Sequence, residues 1–131
     1  MAEGFEKVKD YLQELELAIS SEDETEEIVV VNDEERGLNN LIIDCEDPIL
    51  IIEQVIIPLP DSPGDLFKRL LEMNRTLIHG AFTIDTESGF VLFRDTLRLD
   101  TLDRTELEGS INALGVALAE NAEEFLSYTN K

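Results

Sequence analysis

The sequence predicts an α+β fold: an antiparallel sheet of about five strands, with helices in the order α-β-β-β-α-β-β-α. Three observations carry that expectation. Apolar residues at helical spacing open and close the chain. Three β-branched runs separated by short polar turns follow the first helical stretch. A capped apolar helix then leads into two further strands joined by a polar hairpin loop.

Taken in order, Phe5, Val8, Leu12, Leu15 and Ile19 recur at three- and four-residue spacing, with Tyr11 alongside, which predicts an amphipathic helix. Ser20–Glu27 is acidic and carries no apolar residue, so it reads as a loop. Ile28–Val31 is the first predicted strand. Asp33–Gly37 is a charged turn, Leu41–Cys45 the second strand, and Glu46-Asp47-Pro48 the next turn. Ile49–Ile57 is the third and most apolar strand, ended by Pro58 and Pro60, which lack a ladder donor. Ser62 and Pro63 predict a helix start, with serine at the N-cap and proline at the first helical position, and the helix runs to about Asn74. Thr76–Ile84 and Phe90–Leu97 form the last two strands, around the loop Asp85–Gly89. Asp103–Glu106 repeats the capping pattern and opens a helix with Leu107, Ile111, Leu114, Leu118, Ala122 and Phe125 on one face. No repeat or low-complexity linker interrupts the 131 residues, so a single domain over 1–131 is expected.

Composition bounds the function. The formal net charge is −20, with 17 acidic and 3 basic groups in residues 1–60 and 13 against 7 in residues 61–131. A polyanion or an anionic membrane surface needs neutralising cations, so no nucleic acid and no membrane partner is expected. Basic partners suit the charge. No apolar run is long enough to span a bilayer, the N-terminus does not have the pattern of a secretory signal, and the lone Cys45 suits a reducing compartment; a cytoplasmic location follows as an expectation.

No segment declares a chemical activity. His79 is the only histidine and Cys45 the only cysteine, so neither a zinc site nor a nucleophile pair is indicated. Cys45 is expected to be a small buried hydrophobe and His79 a strand residue facing solvent or a carboxylate. The acidic run Glu22–Glu27 does not have the spacing of a calcium loop. Asp85–Gly89 sits where a hairpin must turn. Nothing singles out a carboxylate pair for acid–base chemistry. The expectation is a non-enzyme with no cofactor and no metal, and a small acidic enzyme is the remote alternative.

The third strand points to an interaction role. Ile49, Ile51, Val55 and Ile57 alternate with Leu50, Ile52 and Ile56, so both faces are apolar. Two long helices can cover one face. A second subunit, the central helix or a bound segment would cover the other, unless local helices cover both. The central helix is broadly apolar too, with Leu66, Phe67, Leu70, Leu71 and Met73. A twofold contact through it predicts that Leu70→Glu yields folded monomers.

The second half of the chain resembles a known family. Leu70-Leu71-Glu72-Met73-Asn74, then Gly80-Ala81-Phe82-Thr83-Ile84-Asp85, Gly89-Phe90-Val91-Leu92-Phe93, the Leu97…Leu99…Leu102 segment and Glu106-Leu107…Ile111…Leu114 together resemble the Tir-type chaperones of type III secretion and their YbjN-type relatives. The first 60 residues match by element order alone. The resemblance implies a compact α+β domain, often a homodimer, that holds a protein partner or secreted effector segment against apolar patches. It implies a dimer surface on the central helix, at Leu66, Leu70 and Met73. It implies partner contacts on the first helix and the sheet, at Phe5, Val8, Leu12, Ile49 and Ile51. The alternative it leaves open is a YbjN-type regulatory or assembly module that binds a folded partner.

Overall fold

A computed structural model describes residues 2–129. The elements are α1 (Ala2–Glu14), β1 (Ile19–Asp23), β2 (Ile28–Asp33), a single 3-10 turn (Glu34–Arg36), β3 (Leu38–Glu46), β4 (Ile49–Pro58), α2 (Leu66–Asn74), β5 (Ala81–Asp85), β6 (Phe90–Arg98) and α3 (Arg104–Thr129). The strands form one six-stranded sheet in the order β1-β2-β3-β4-β6-β5, and every neighbouring pair is antiparallel. The helix and strand order agrees with expectation, with one strand added in front.

That added strand, β1, falls in the stretch expected to be a loop. Its sequence, ISSED, is polar because it lies at the sheet edge and needs only backbone pairing to β2. Ile19 belongs to it rather than to the first helix. The helix stops at Glu14 because Glu16 takes a left-handed conformation (φ 60°) and the Leu17 amide folds back onto the Leu12 carbonyl.

The second helix also starts later than Ser62-Pro63 suggests. It begins at Leu66, whose amide donates to the Pro63 carbonyl across a turn containing Gly64 at φ 58°. Asp65 precedes the helix, but its carboxylate accepts the Tyr128 hydroxyl at 2.6 Å rather than capping the backbone. At the other end, Thr76–Gly80 is a loop, not a strand. The Asn74 side chain accepts the Phe82 amide at 2.7 Å and donates to the Phe82 carbonyl at 3.1 Å, so the helix end is tied directly to β5. Gly80, at φ 73°, precedes β5, and a Cβ there would lie 2.5 Å from the Phe93 ring and 3.0 Å from the Arg94 carbonyl. The start of α3 is as expected: the Asp103 carboxylate accepts the Glu106 amide at 2.7 Å.

All three helices pack on one face of the sheet. Val29, Val31, Leu41, Ile43, Cys45, Leu50, Ile52, Phe82, Val91 and Phe93 point into the core from the strands. Phe5, Val8 and Leu12 meet them from α1, Leu66, Leu70 and Met73 from α2, and Leu107, Ile111, Leu114, Ala117 and Phe125 from α3. Leu118 packs at the margin of this core and Ala122 is exposed, so the buried face of α3 is shifted from the expected one and includes Ser110 and Tyr128. Phe82 sets its ring edge against Phe125 (5.0 Å) and Phe93 (6.2 Å), joining α3 to the sheet.

Two polar groups in this core have defined partners. Buried Gln54 donates to the Gly37 carbonyl and accepts the Asn39 amide, which holds the start of β3 against β4. Buried Ser110 donates to Asp95 at 2.7 Å, pinning α3 to β6.

Candidate partner-binding surface

The geometry of the second sheet face follows from pairing and pleat. Residues opposite one another share a face, and alternate residues along a strand do too. Ile42, Asp44 and Glu46 of β3 oppose Glu53, Ile51 and Ile49 of β4, and these in turn oppose Arg94, Thr96 and Arg98 of β6. On the other side, Ile28 opposes Asp44 and Val30 opposes Ile42. Val55 opposes Leu92. None of the helices reaches these side chains into the core. Ile42, Ile49 and Val55 are exposed, Val55 by 46%, while Ile28, Val30 and Ile51 are half-buried by their own neighbours. Helices therefore cover one face only, and the third predicted strand, apolar on both sides, presents its second face to solvent.

One detail of that strand departs from simple alternation. The β4–β6 register shifts between Val55 and Ile57. This bulge inserts a residue and turns Ile57 into the core, away from Ile49, Ile51 and Val55. Ile57 is thus removed from the face on which strict alternation placed it.

The open face is acidic on the β3 side and neutralised on the β6 side. Glu53 is in close contact with Arg94, and Arg98 pairs with Asp100 at 2.8 Å. Asp44 lies between Ile28 and Ile51, with Ile42 and Glu46 two positions away on its own strand. Partial burial is the largest influence on its carboxyl; hydrogen bonding and repulsion from Glu46, then charge from Glu26 and Glu53, add to it. Together they push Asp44 up to about 6. Among the described residues no lysine or arginine bridges Asp44 or Glu46.

The structure divides the residues singled out from sequence. Ile49 and Ile51 lie on the open face, adjacent to Ile42 and Val55. Phe5, Val8 and Leu12 are buried in the core, and so are Leu66, Leu70 and Met73. In this conformation those six side chains have no surface to give a partner. The physical reason is visible in the spacing: each triplet repeats at three or four residues, which is the stripe a helix turns toward its own sheet. On α2 the solvent-facing apolar residues are Phe67 and Leu71, the latter 74% exposed. They stand off the Leu66/Leu70/Met73 stripe, and that offset was the available signal.

A smaller apolar groove of about 280 Å³ lies between the loop after α2 and the flank of α3. Leu77, Ile78 and His79 form one wall and Ala113, Val116 and Ala117 the other. Ile78 is 87% exposed. His79 is therefore a loop residue beside Gly109, not a strand residue.

Cys45 is buried on the covered face, and burial together with the nearby Glu27 and Asp44 charges pushes its thiol up to about 11. A thiol so placed stays protonated and unreactive near neutral pH. Among the described residues no group of three or more His, Cys, Asp or Glu side chains could hold a metal ion, and no helix is long and apolar enough to cross a membrane.

Comparison with known structures places this architecture. YbjN from E. coli superposes with a TM-score of 0.73 over 92% of this chain and 92% of its own, at 12% identity. A chain of the HopA1–SchA chaperone–effector complex matches with a TM-score of 0.62, 16% identity, and coverage of 97% and 94%. A chain of the ExsC–ExsE complex gives 0.63, 17% identity, and coverage of 88% and 89%. A comparison with curated proteins returns no match. Identities this low establish a shared fold. The sequence profile of the CesT_Tir_1 family, by contrast, matches residues 1–131. Fold, element order and profile agree across the whole chain, and the protein belongs to the CesT_Tir_1 family.

Proposed function

We propose that this chain is a non-enzymatic, chaperone-like domain that holds an extended segment of a protein partner against the open face of its sheet. The observation that carries the reading is the row Ile42, Ile49, Ile51 and Val55, left uncovered in a member of this family. Taking such a side chain from full exposure to full burial is worth about 1.5–3 kcal/mol; these four are already partly buried, so a segment that covers them gains about half of that or less at each and offsets part of the cost of ordering it. Acid around this face keeps other copies of the chain off it and favours basic partners. The match to chains from two complexes, one of them a chaperone–effector complex, supports a protein partner of this kind.

The proposal extends to a homodimer in a cytoplasmic setting, with the central helix as the contact. Phe67 and Leu71 are the residues of that helix that can make it, in place of the buried Leu66, Leu70 and Met73. The test is native co-purification of tagged wild-type protein beside Val55→Glu, with hydrogen exchange on whatever is recovered. A stoichiometric partner lost in Val55→Glu, with a segment protected only when bound, supports the reading. A partner protected throughout in its free state favours a module that engages a folded protein. Equal recovery by both forms rejects the open face as the site.

A further inference from the structure

The open face carries apolar residues and one acidic pair without a cation among the described residues. Glu53 has Arg94 and Asp100 has Arg98, but Asp44 and Glu46 stand on adjacent same-face positions of β3 with no cation against either among the described residues. Asp44 is the more constrained of the two. Ile28 and Ile51 flank it from β2 and β4, and its Oδ1 is shielded from solvent without a hydrogen-bond partner. Among the described residues the charged groups that act on it are acidic: Glu46 on its own strand, Glu26 from the β1–β2 turn, and Glu53 from β4, whose charge Arg94 of β6 already balances. A carboxylate in this position is costly alone and favourable beside a cation.

We infer that the open face takes an extended segment in which apolar residues flank a lysine or arginine, with that cation seated over Asp44 and Glu46. This rests on the proposed function and specifies its partner. Ile28 and Ile51 oppose Asp44 from the neighbouring strands, so a segment that crosses the strands with its cation over Asp44 brings its flanking same-face side chains, about 6.6–6.8 Å away, over Ile28 on one side and Ile51 on the other. A second copy of this chain is the poorer occupant. It would bring another Asp44/Glu46 pair against the first on this face.

The probes are three capped peptides of about nine residues, alternating isoleucine and serine, with a central lysine, isoleucine or glutamate. Methyl chemical shifts of Ile42, Ile51 and Val55 report occupancy of the face, and titration gives affinity. The expected result is that the lysine peptide shifts these methyls and binds about tenfold tighter than the glutamate peptide at about pH 7.5. That preference shrinks at about pH 5, where Asp44 takes up a proton, and it disappears in the Asp44→Asn/Glu46→Gln double variant. Equal binding of all three peptides at these methyls overturns the basic-segment inference and leaves the proposed function standing. Absence of methyl shifts with any of the peptides overturns both. Concentration-dependent dimerisation that Val55→Glu abolishes would assign the face to a second copy and also overturns the inference.

Discussion

The two faces of the sheet are built from the same kinds of residue and have opposite roles. Along β4, Leu50 and Ile52 are fully buried beneath the helices, while Ile49, Ile51 and Val55 on the other side meet solvent. Hydrophobicity does not distinguish them. What does is whether an amphipathic helix arrives on that side, and all three helices arrive on one. An apolar side chain then contributes to folding on the covered face and remains available for association on the open one.

The sharpest way to break that comparison is to place a charge on each side of one helix. Leu70→Glu puts a carboxylate into the core, and a cost above about 4 kcal/mol is expected, seen as loss of a cooperative thermal transition. Leu71→Glu, one residue on and exposed, should change stability by no more than about 0.5 kcal/mol and should yield folded monomers if α2 forms the twofold contact. A folded Leu70→Glu protein would contradict the core assignment.

The same contrast can be drawn on β4. Ile52→Ala removes a fully buried side chain and should cost about 2–4 kcal/mol by denaturant titration. Val55→Ala should cost less than about 1 kcal/mol, because its neighbours leave it half in water. Comparable losses for the two would mean that the open face is covered in solution.

Gly80→Ala probes the junction between loop and sheet. Its positive φ and the Phe93 ring and Arg94 carbonyl beside it leave no room for a methyl, and a loss of about 2 kcal/mol or more is expected from thermal unfolding.

A smaller effect than these core and backbone losses comes from the proton on Asp44. Its folded value lies near 6, above the usual 3.8, so between about pH 4 and about pH 6 the folded state binds more protons than the unfolded one. Stability contributed by the protonated form is therefore lost as pH rises through that window, by about 1 kcal/mol after allowing for partial exposure. Asp44→Asn should remove that component of the slope and raise the melting temperature at neutral pH. An unchanged slope would show that Asp44 does not titrate there.

Several features are legible in the amino-acid sequence. The Asp103–Glu106 cap, the polar Asp85–Gly89 hairpin loop and the order of helices and strands follow from local chemistry, which neighbouring residues supply. Features that depend on distant contacts were not. The strand Ile19–Asp23 has polar side chains, and only the ladder offered by β2 makes it a strand. The helix stop at Glu14 has no glycine to mark it. Phe5, Val8, Leu12, Leu66, Leu70 and Met73 were legible as helical stripes, but a stripe looks the same whether it meets its own sheet or another molecule.

Sequence alone determined the element order apart from the edge strand Ile19–Asp23, the acidic character and the presence of a strand apolar on both sides, because periodicity, capping residues and charge are properties of the chain itself. Only the tertiary structure decided which face of the sheet the three helices cover, and hence that Ile49 and Ile51 are surface while the helical candidates are core. Packing side is set by contacts between residues far apart in the chain, and burial belongs to the assembled layers rather than to any one segment.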